Sequence, residues 1–393
     1  MEITILAVLA FAALFVWVWL AVFRGGFWLC DQRLTVPVTL PTVWPAVVAV
    51  IPARDEVNSI AGSVRSLVDQ DYPGGLTVVV VDDGSSDGTA EAAREAVVAG
   101  RVEILDSAPL AAGWTGKVWA MHQGVLCARQ LAPEARYVLL TDADIAHGAE
   151  SLRLLVARAE AETLDLVSLM VRLRCESFWE KWLIPAFVFF FQKLYPFGWV
   201  NRGRRGFAAA AGGCMLVRRS ALDRIGGMAA IRGCVIDDCD LAGEIAKEGK
   251  IWLGLADSSR SIRGYDGLSG IWNMVARTAY VQLNHSPLLL AGTVLGMVFL
   301  YLLPPVSLIA GIFQQDLAVM AFGAAGTALM TVLYVPILQY FGLRPWRTFL
   351  LPGLACLYSL MTISSAIRHH RGQGGAWKGR SYSAPPTDHG DVP

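Results

Sequence analysis

With 393 residues, 54% of them hydrophobic and 17% charged, the chain is too apolar for an ordinary soluble protein, and its polar middle excludes a simple bundle of membrane spans. The 33 basic and 33 acidic residues cancel, which leaves no electrostatic footprint for nucleic acid. Seven scattered cysteines (Cys30, Cys127, Cys175, Cys214, Cys234, Cys239 and Cys356), never in a CxxC pair, argue against zinc and against a disulfide framework.

Residues 3–23 form an apolar run with Trp17 and Trp19, long enough to cross a bilayer core of about 30 Å. No Lys or Arg precedes it and no small-residue cleavage site follows, so residues 1–24 read as a retained transmembrane anchor. Arg24 and Arg33 then place the next segment on the cytoplasmic side.

From residue 45 to 285 strand-like and helix-like stretches alternate. Runs rich in Val, Ile and Leu at 46–51, 76–82, 101–105, 137–141 and 164–170 predict strands buried on both faces. Helical periodicity covers 57–70, 87–99, 117–130 and 149–160. The pattern is that of an α/β domain with a mainly parallel sheet, whose ligand crevice collects residues from the carboxyl ends of strands. Acids stand at three of those ends: Asp55-Glu56, Asp82-Asp83 and Asp142-Ala143-Asp144. Asp87 is a sensible N-cap for the helix after it, and a turn or cap would explain any one acidic group alone. Adjacent buried acids cost desolvation unless paired, however, and alternation points Asp142 and Asp144 to one side, as a hard divalent cation requires.

Within the same segment, residues 176–199 combine aromatic and basic side chains around Pro185, and residues 267–285 follow the last acids. Both suit helices lying in the membrane interface, with a further span or a buried domain helix as the alternative for the first. Apolar stretches at 286–313, 317–341 and 348–367, within a block over 286–367, predict about three C-terminal spans. Four spans in all would set the basic tail on the side opposite the catalytic segment, against the positive-inside rule, unless one stretch is re-entrant. Residues 368–393, rich in Gly, Ser and Pro, predict a disordered tail.

In order, PARDE (52–56), VVVDDGSSDGT (79–89), GWTGK (113–117) and DAD (142–144) resemble the family 2 glycosyltransferases with the GT-A nucleotide-sugar-binding fold. The resemblance implies that Pro52, Ala53, Asp55 and Glu56 lie along the nucleoside and that Asp83 accepts a hydrogen bond from the base, which favours a UDP-sugar. It sets Gly116 and Lys117 beside the nucleotide, Asp142 near ribose and metal, and Asp144 on an Mg²⁺ or Mn²⁺ ion bridging the phosphates. Ala211–Arg219 is similar to the family's acceptor-side strand, where Gly212 and Gly213 leave room for substrate. Asp237 and Asp238 resemble its acidic pair, with Asp238 the general base of an inverting transfer. Of the QxxRW pattern of processive members only Arg277 remains, beside Met274 and Thr278, which implies non-processive synthesis with Arg277 on the diphosphate. The layout looks like ceramide glucosyltransferases and, through WTGKVWAMHQG, GFAAAAGGCMLVRRSALDRIGGM and IDDCDLA, more closely like the hopene-associated glycosyltransferases of bacterial hopanoid clusters. That implies a hopanoid-related membrane lipid acceptor and a bacterial inner-membrane enzyme with its catalytic domain facing the cytoplasm. The rival expectations are a processive polysaccharide synthase, a transporter with a nucleotide-binding regulatory domain, and an inactive scaffold.

Overall fold

The computed structural model describes residues 5–34, 40–96, 102–265 and 267–374. Two compact units share the chain: a helical one of 1–33, 173–207 and 264–367, and a sheet-containing one of 34–172, 208–263 and 368–393. The segments 173–207 and 264–285 therefore belong with the apolar helices and not with the sheet.

The sheet has eight strands: β1 (Val47–Ala53), β2 (Leu76–Asp82), β3 (Val102–Asp106), β4 (Tyr137–Leu140), β5 (Ile145–Ala146), β6 (Leu166–Arg172), β7 (Met215–Arg218) and β8 (Ile251–Ser261). Their order is β3-β2-β1-β4-β7-β6-β8-β5, with parallel pairing from β3 through β4 and again between β6 and β8. Every residue of β1 and β4, and all but Thr77 of β2, is buried, as strands covered on both faces require. Helix Gly116–Leu131 crosses over β1 and β2 at close range: a Cβ on Gly124 would stand 2.4 Å from Val50 Cγ1. The chain winds outward from β1 to β2 and β3, then returns to lay β4 on the other flank of β1. That reversal is a topological switch point, where such sheets open a crevice at their carboxyl ends. Of β1, only Val47–Val50 pair with β4, so Pro52 stands beyond that ladder, where its missing N–H is tolerated.

The expected α/β class, with apolar helices at both ends, holds. Two strands lay outside the sequence expectation: β5, a two-residue bridge, and β8, which pairs with both β6 and β5. The predicted helix 87–99 runs over Thr89–Glu95, its end beyond residue 96 falling outside the described residues, as does Arg101 at the start of the third predicted strand. Gly88, not Asp87, is the N-cap. Asp87 acts one position earlier, accepting from the Thr89 N–H (3.0 Å) and the Val57 N–H (3.1 Å), so it ties two loops together.

In the helical unit five stretches are long and apolar enough to cross a membrane: Ile5–Phe23, Phe178–Val200, Pro287–Gln314, Leu317–Tyr340 and Pro345–His370. Prolines inside them free carbonyls, and at two of these a side chain from another helix takes the carbonyl up. Pro304 cannot donate to Leu300 O, and the Trp17 indole does so at 2.7 Å, in the π-helical turn Val298–Leu302. Pro185 likewise frees Lys181 O, which accepts from Arg347 Nη1 at 3.5 Å. Glu180, fully buried, accepts from the N–H groups of Glu176, Ser177 and Tyr265, which fastens the start of helix Phe178–Leu194 to the segment before helix Leu268–Thr278. The predicted tail begins later than expected, since residues 368–370 close the last helix; beyond residue 374 it lies outside the described residues.

Candidate active site

The crevice at the switch point gathers the acids named from sequence, and each is held by a different device. Beyond β1, Asp55 adopts the left-handed conformation (φ 49°), which Asp tolerates better than most residues. Its amide donates to Ser85 Oγ (3.0 Å) and its carboxylate accepts from Ser86 N (2.9 Å), so the first strand-end loop is stitched to the second. Glu56 N–H donates to Thr89 Oγ1 at 2.7 Å. The desolvation of Asp82 and Asp83 is met separately. Asp82 closes a turn by accepting from the Ser85 amide and hydroxyl, while Asp83, 2% exposed, has the Arg54 guanidinium 3.7 Å from Oδ2.

Past β4 the alternation survives in burial: Thr141, Ala143 and Ile145 are buried, and Asp142 and Asp144 between them reach the crevice. Their charges are met by different cations. Lys117, in the first turn of helix Gly116–Leu131, places Nζ 2.9 Å from Asp142 Oδ1 and 3.0 Å from Asp237 Oδ2. Arg263, just beyond β8, sets Nε 2.9 Å from Asp144 Oδ2 and its Nη2 on Glu56. Burial and the Asp142 charge raise the Asp144 carboxyl to about 6, against the pull of Arg263. Burial opposes the Lys117 charge, but the Asp142, Asp237 and Asp238 carboxylates prevail and hold its pKa above the ordinary lysine value.

Asp237 and Asp238 open helix Asp237–Ile245. Asp238 Oδ2 accepts from Gly212 N and Oδ1 from Cys239 N, both at 2.8 Å. Burial and the neighbouring Asp237 charge raise it to about 6, with Lys117 opposing. A Cβ on Gly212 would lie 3.2 Å from Lys117 Nζ and 3.5 Å from Asp238 Oδ2, so a glycine here lets acid and ammonium share one small space. Gly213 O accepts from Thr141 Oγ1 (2.8 Å), joining this loop to the end of β4.

Pro52, Ala53, Asp55, Glu56, Asp83, Gly116, Lys117, Asp142, Asp144, Gly212, Gly213, Asp237 and Asp238 thus all lie in the sheet-containing unit, at or beside the crevice. Arg277 does not: it is in helix Leu268–Thr278 of the helical unit. Sequence reading missed three residues. Arg54 and Arg263 are the countercharges of Asp83 and Asp144. His147 lies beneath the DxD turn, with Nε2 2.9 Å from Thr141 Oγ1 and Nδ1 3.4 Å from Ser259 Oγ, and burial lowers its pKa to about 4, so it is neutral.

Among the described residues no three His, Cys, Asp or Glu side chains converge as a closed metal cage. Asp142 and Asp144 supply two hard oxygen donors on one turn, the set expected for an ion that takes its remaining ligands from substrate phosphates and water. The donor chemistry therefore fits Mg²⁺ or Mn²⁺.

Residues 48–226 match the model of Glycosyl transferase family 2. No curated protein sequence matches the chain. Among solved structures, the chain is similar to a mannosyltransferase from Pyrobaculum calidifontis in complex with GDP-Man and Mn²⁺, at 20% identity and a TM-score of 0.55, over 93% of this chain and 98% of that one. Weaker likenesses are to glucosyl-3-phosphoglycerate synthase from Mycobacterium tuberculosis in complex with Mg²⁺ and UDP (17% identity, 61% of this chain and 79% of that one, TM-score 0.39) and to mannosyl-3-phosphoglycerate synthase from Rubrobacter xylanophilus (17%, 62% and 76%, TM-score 0.37). The architecture is GT-A-like.

Proposed function

We propose that this chain, whose residues 48–226 match the model of Glycosyl transferase family 2, transfers one sugar from a nucleoside diphosphate sugar to a hydroxyl of a membrane lipid, with inversion. The observation that carries the reading is the Lys117 bridge. It joins the DxD turn of β4 to the acidic pair at Asp237-Asp238, so the groups for the leaving phosphate and for the attacking hydroxyl stand on either side of one ammonium.

In this reading Asp55, Glu56 and Asp83, with Pro52 and Ala53, flank the nucleoside of a UDP-sugar. Lys117 and the Gly116 amide face the diphosphate at a helix N-terminus. Asp142 and Asp144 would hold a divalent cation, which when bound would offset negative charge on the departing diphosphate. Asp238 takes the acceptor hydroxyl proton as the new C–O bond forms at the anomeric carbon and the bond to the diphosphate breaks. A carboxylate raised to about 6 suits that work, because it is ionised at neutral pH yet more basic than a solvated Asp. The Gly212 and Cys239 amides fix its orientation.

Five helices of spanning length support a membrane location and a lipid acceptor. Arg24 and Arg33 support a catalytic unit facing the cytoplasm of a bacterial inner membrane, and the stretches 114–124, 206–228 and 236–242 support a hopanoid-related acceptor. Met274 and Thr278, where processive enzymes carry Gln and Trp, support a single transfer. Incubating membranes that contain the protein with labelled UDP- and GDP-sugars tests all of this together. One discrete glycolipid, identified by mass spectrometry and absent without the gene, is expected; a polymer ladder would replace the reading with a polysaccharide synthase.

A further inference from the structure

The helical unit carries a group of cations that, among the described residues, no carboxylate offsets. Arg24 is the first residue after helix Ile5–Phe23, and its guanidinium donates to backbone carbonyls, from Nε to Lys193 O (3.2 Å) and from Nη2 to Leu194 O (3.3 Å). The same guanidinium lies 5.0 Å from the centroid of the Trp199 ring and 5.2 Å from that of Phe207. Arg204 approaches the same two rings, at 3.7 Å and 5.7 Å. Trp199 and Phe207 meet edge to face, 4.7 Å apart, and Trp199 is only 7% exposed. Among the described residues no carboxylate comes within 4 Å of either guanidinium; every ion pair found involves other cations.

Two like charges drawn onto one indole repel each other. Aromatic faces and carbonyl dipoles attract a guanidinium without neutralising it. Two guanidiniums gathered on the same rings without a carboxylate suit an anion with several acceptor oxygens, and phosphate is the group whose oxygens match a guanidinium fork. The position selects the source. Arg24 directly follows a helix of membrane-spanning length, and Trp199 lies in the last turn of a second, Phe178–Val200. Aromatic and basic residues at the ends of spans stand at headgroup level. Arg202 and Arg205, both exposed, add positive charge around the site.

We propose that Arg24 and Arg204, mounted on Trp199 and Phe207, bind the phosphate of an anionic phospholipid headgroup. A free phosphate ester shares the chemistry, and the test separates the two. The purified full-length protein is delipidated in neutral detergent, and its unfolding midpoint is followed with added phosphatidylglycerol, with phosphatidylcholine at equal mole fraction, and with inorganic phosphate. A rise with phosphatidylglycerol alone is expected, lost in the double variant Arg24→Gln/Arg204→Gln and kept in Arg202→Gln/Arg205→Gln, which removes the same charge away from the indole. Native mass spectrometry of the unsubstituted protein from a mixed micelle reads the same preference without a variant, and at least threefold enrichment of phosphatidylglycerol over phosphatidylcholine is expected. Equal response to both lipids, equal loss in both double variants, or a phosphate effect as large as that of phosphatidylglycerol overturns the proposal.

Discussion

Replacing Lys117 by Met keeps the length of the side chain and removes its charge, and this tests the site at its centre. The ammonium lies 2.9 Å from Asp142 and 3.0 Å from Asp237, with its side chain 19% exposed and that of Asp237 12% exposed. Removing one member of a buried pair strands the other, at a cost of about 3–5 kcal/mol for full burial. The residual exposure here puts the expectation at the lower end, about 3 kcal/mol, or a fall in the unfolding midpoint of roughly 6–12 °C for a domain of this size. A second effect accompanies it, because Lys117 opposes the rise of Asp238. In the proposed reaction the ionised base is the active form, so the rate falls as pH drops through about 6; without the ammonium that acid limb moves to higher pH. Asp237→Asn in the Lys117→Met background removes one stranded charge and restores part of the stability. Thermal unfolding and the pH dependence of kcat/KM measure the two effects. A midpoint shift of under about 1 °C together with an unmoved acid limb refutes the reasoning, since both follow from a single displaced charge.

Asp238→Asn should lower sugar transfer by about 10²–10⁴-fold with nucleotide binding retained, measured by turnover and calorimetry. The same variant should be more stable at pH 7. A pKa raised from 3.8 to about 6 by folding means that stability is fully present below the unfolded value and is lost as pH rises through about 6, so the amide avoids up to about 3 kcal/mol at pH 7, an advantage gone below pH 4. Chelation should abolish transfer and added Mn²⁺ or Mg²⁺ restore it; Asp144→Asn should weaken Mn²⁺ binding in the presence of nucleotide, read by electron paramagnetic resonance, and unchanged affinity would remove Asp144 from the ion's ligands. Gly212→Ala, whose new methyl would stand 3.2 Å from Lys117 Nζ, should cost at least about tenfold in kcat with little change in thermal midpoint.

The residues legible in the sequence are those whose placement follows from local pattern. β1, β2 and β4 are continuous aliphatic runs, and the orientation of Asp142 and Asp144 follows from alternation across five residues. What stayed hidden depends on contacts distant in sequence. Arg263 reaches Glu56, 207 residues away, because β8 lies parallel to β6 and antiparallel to β5, and nothing within IWLGLADSSRS announces that double pairing. The resemblance sets Lys117 beside the nucleotide, yet its partners in this structure are carboxylates from two other elements. The aromatic stretch around Pro185 admits several readings because its composition suits an interface, a span or a buried helix alike. The contact that fastens its start, from Glu180 to Tyr265, lies 85 residues away.

The indole of Trp17 and the carbonyl of Leu300 are separated by 283 residues. At a synthesis rate of about 5–20 residues per second, the first apolar helix waits roughly 15–60 s before the group it bonds has been made. During that interval the Trp17 N–H must be satisfied by headgroups, water or another protein. A chain stopped between residues 263 and 300 keeps its first helix and its sheet-forming residues but lacks the bond that joins the two ends of the helical unit, so shortening the protein at its far end loosens it at its beginning.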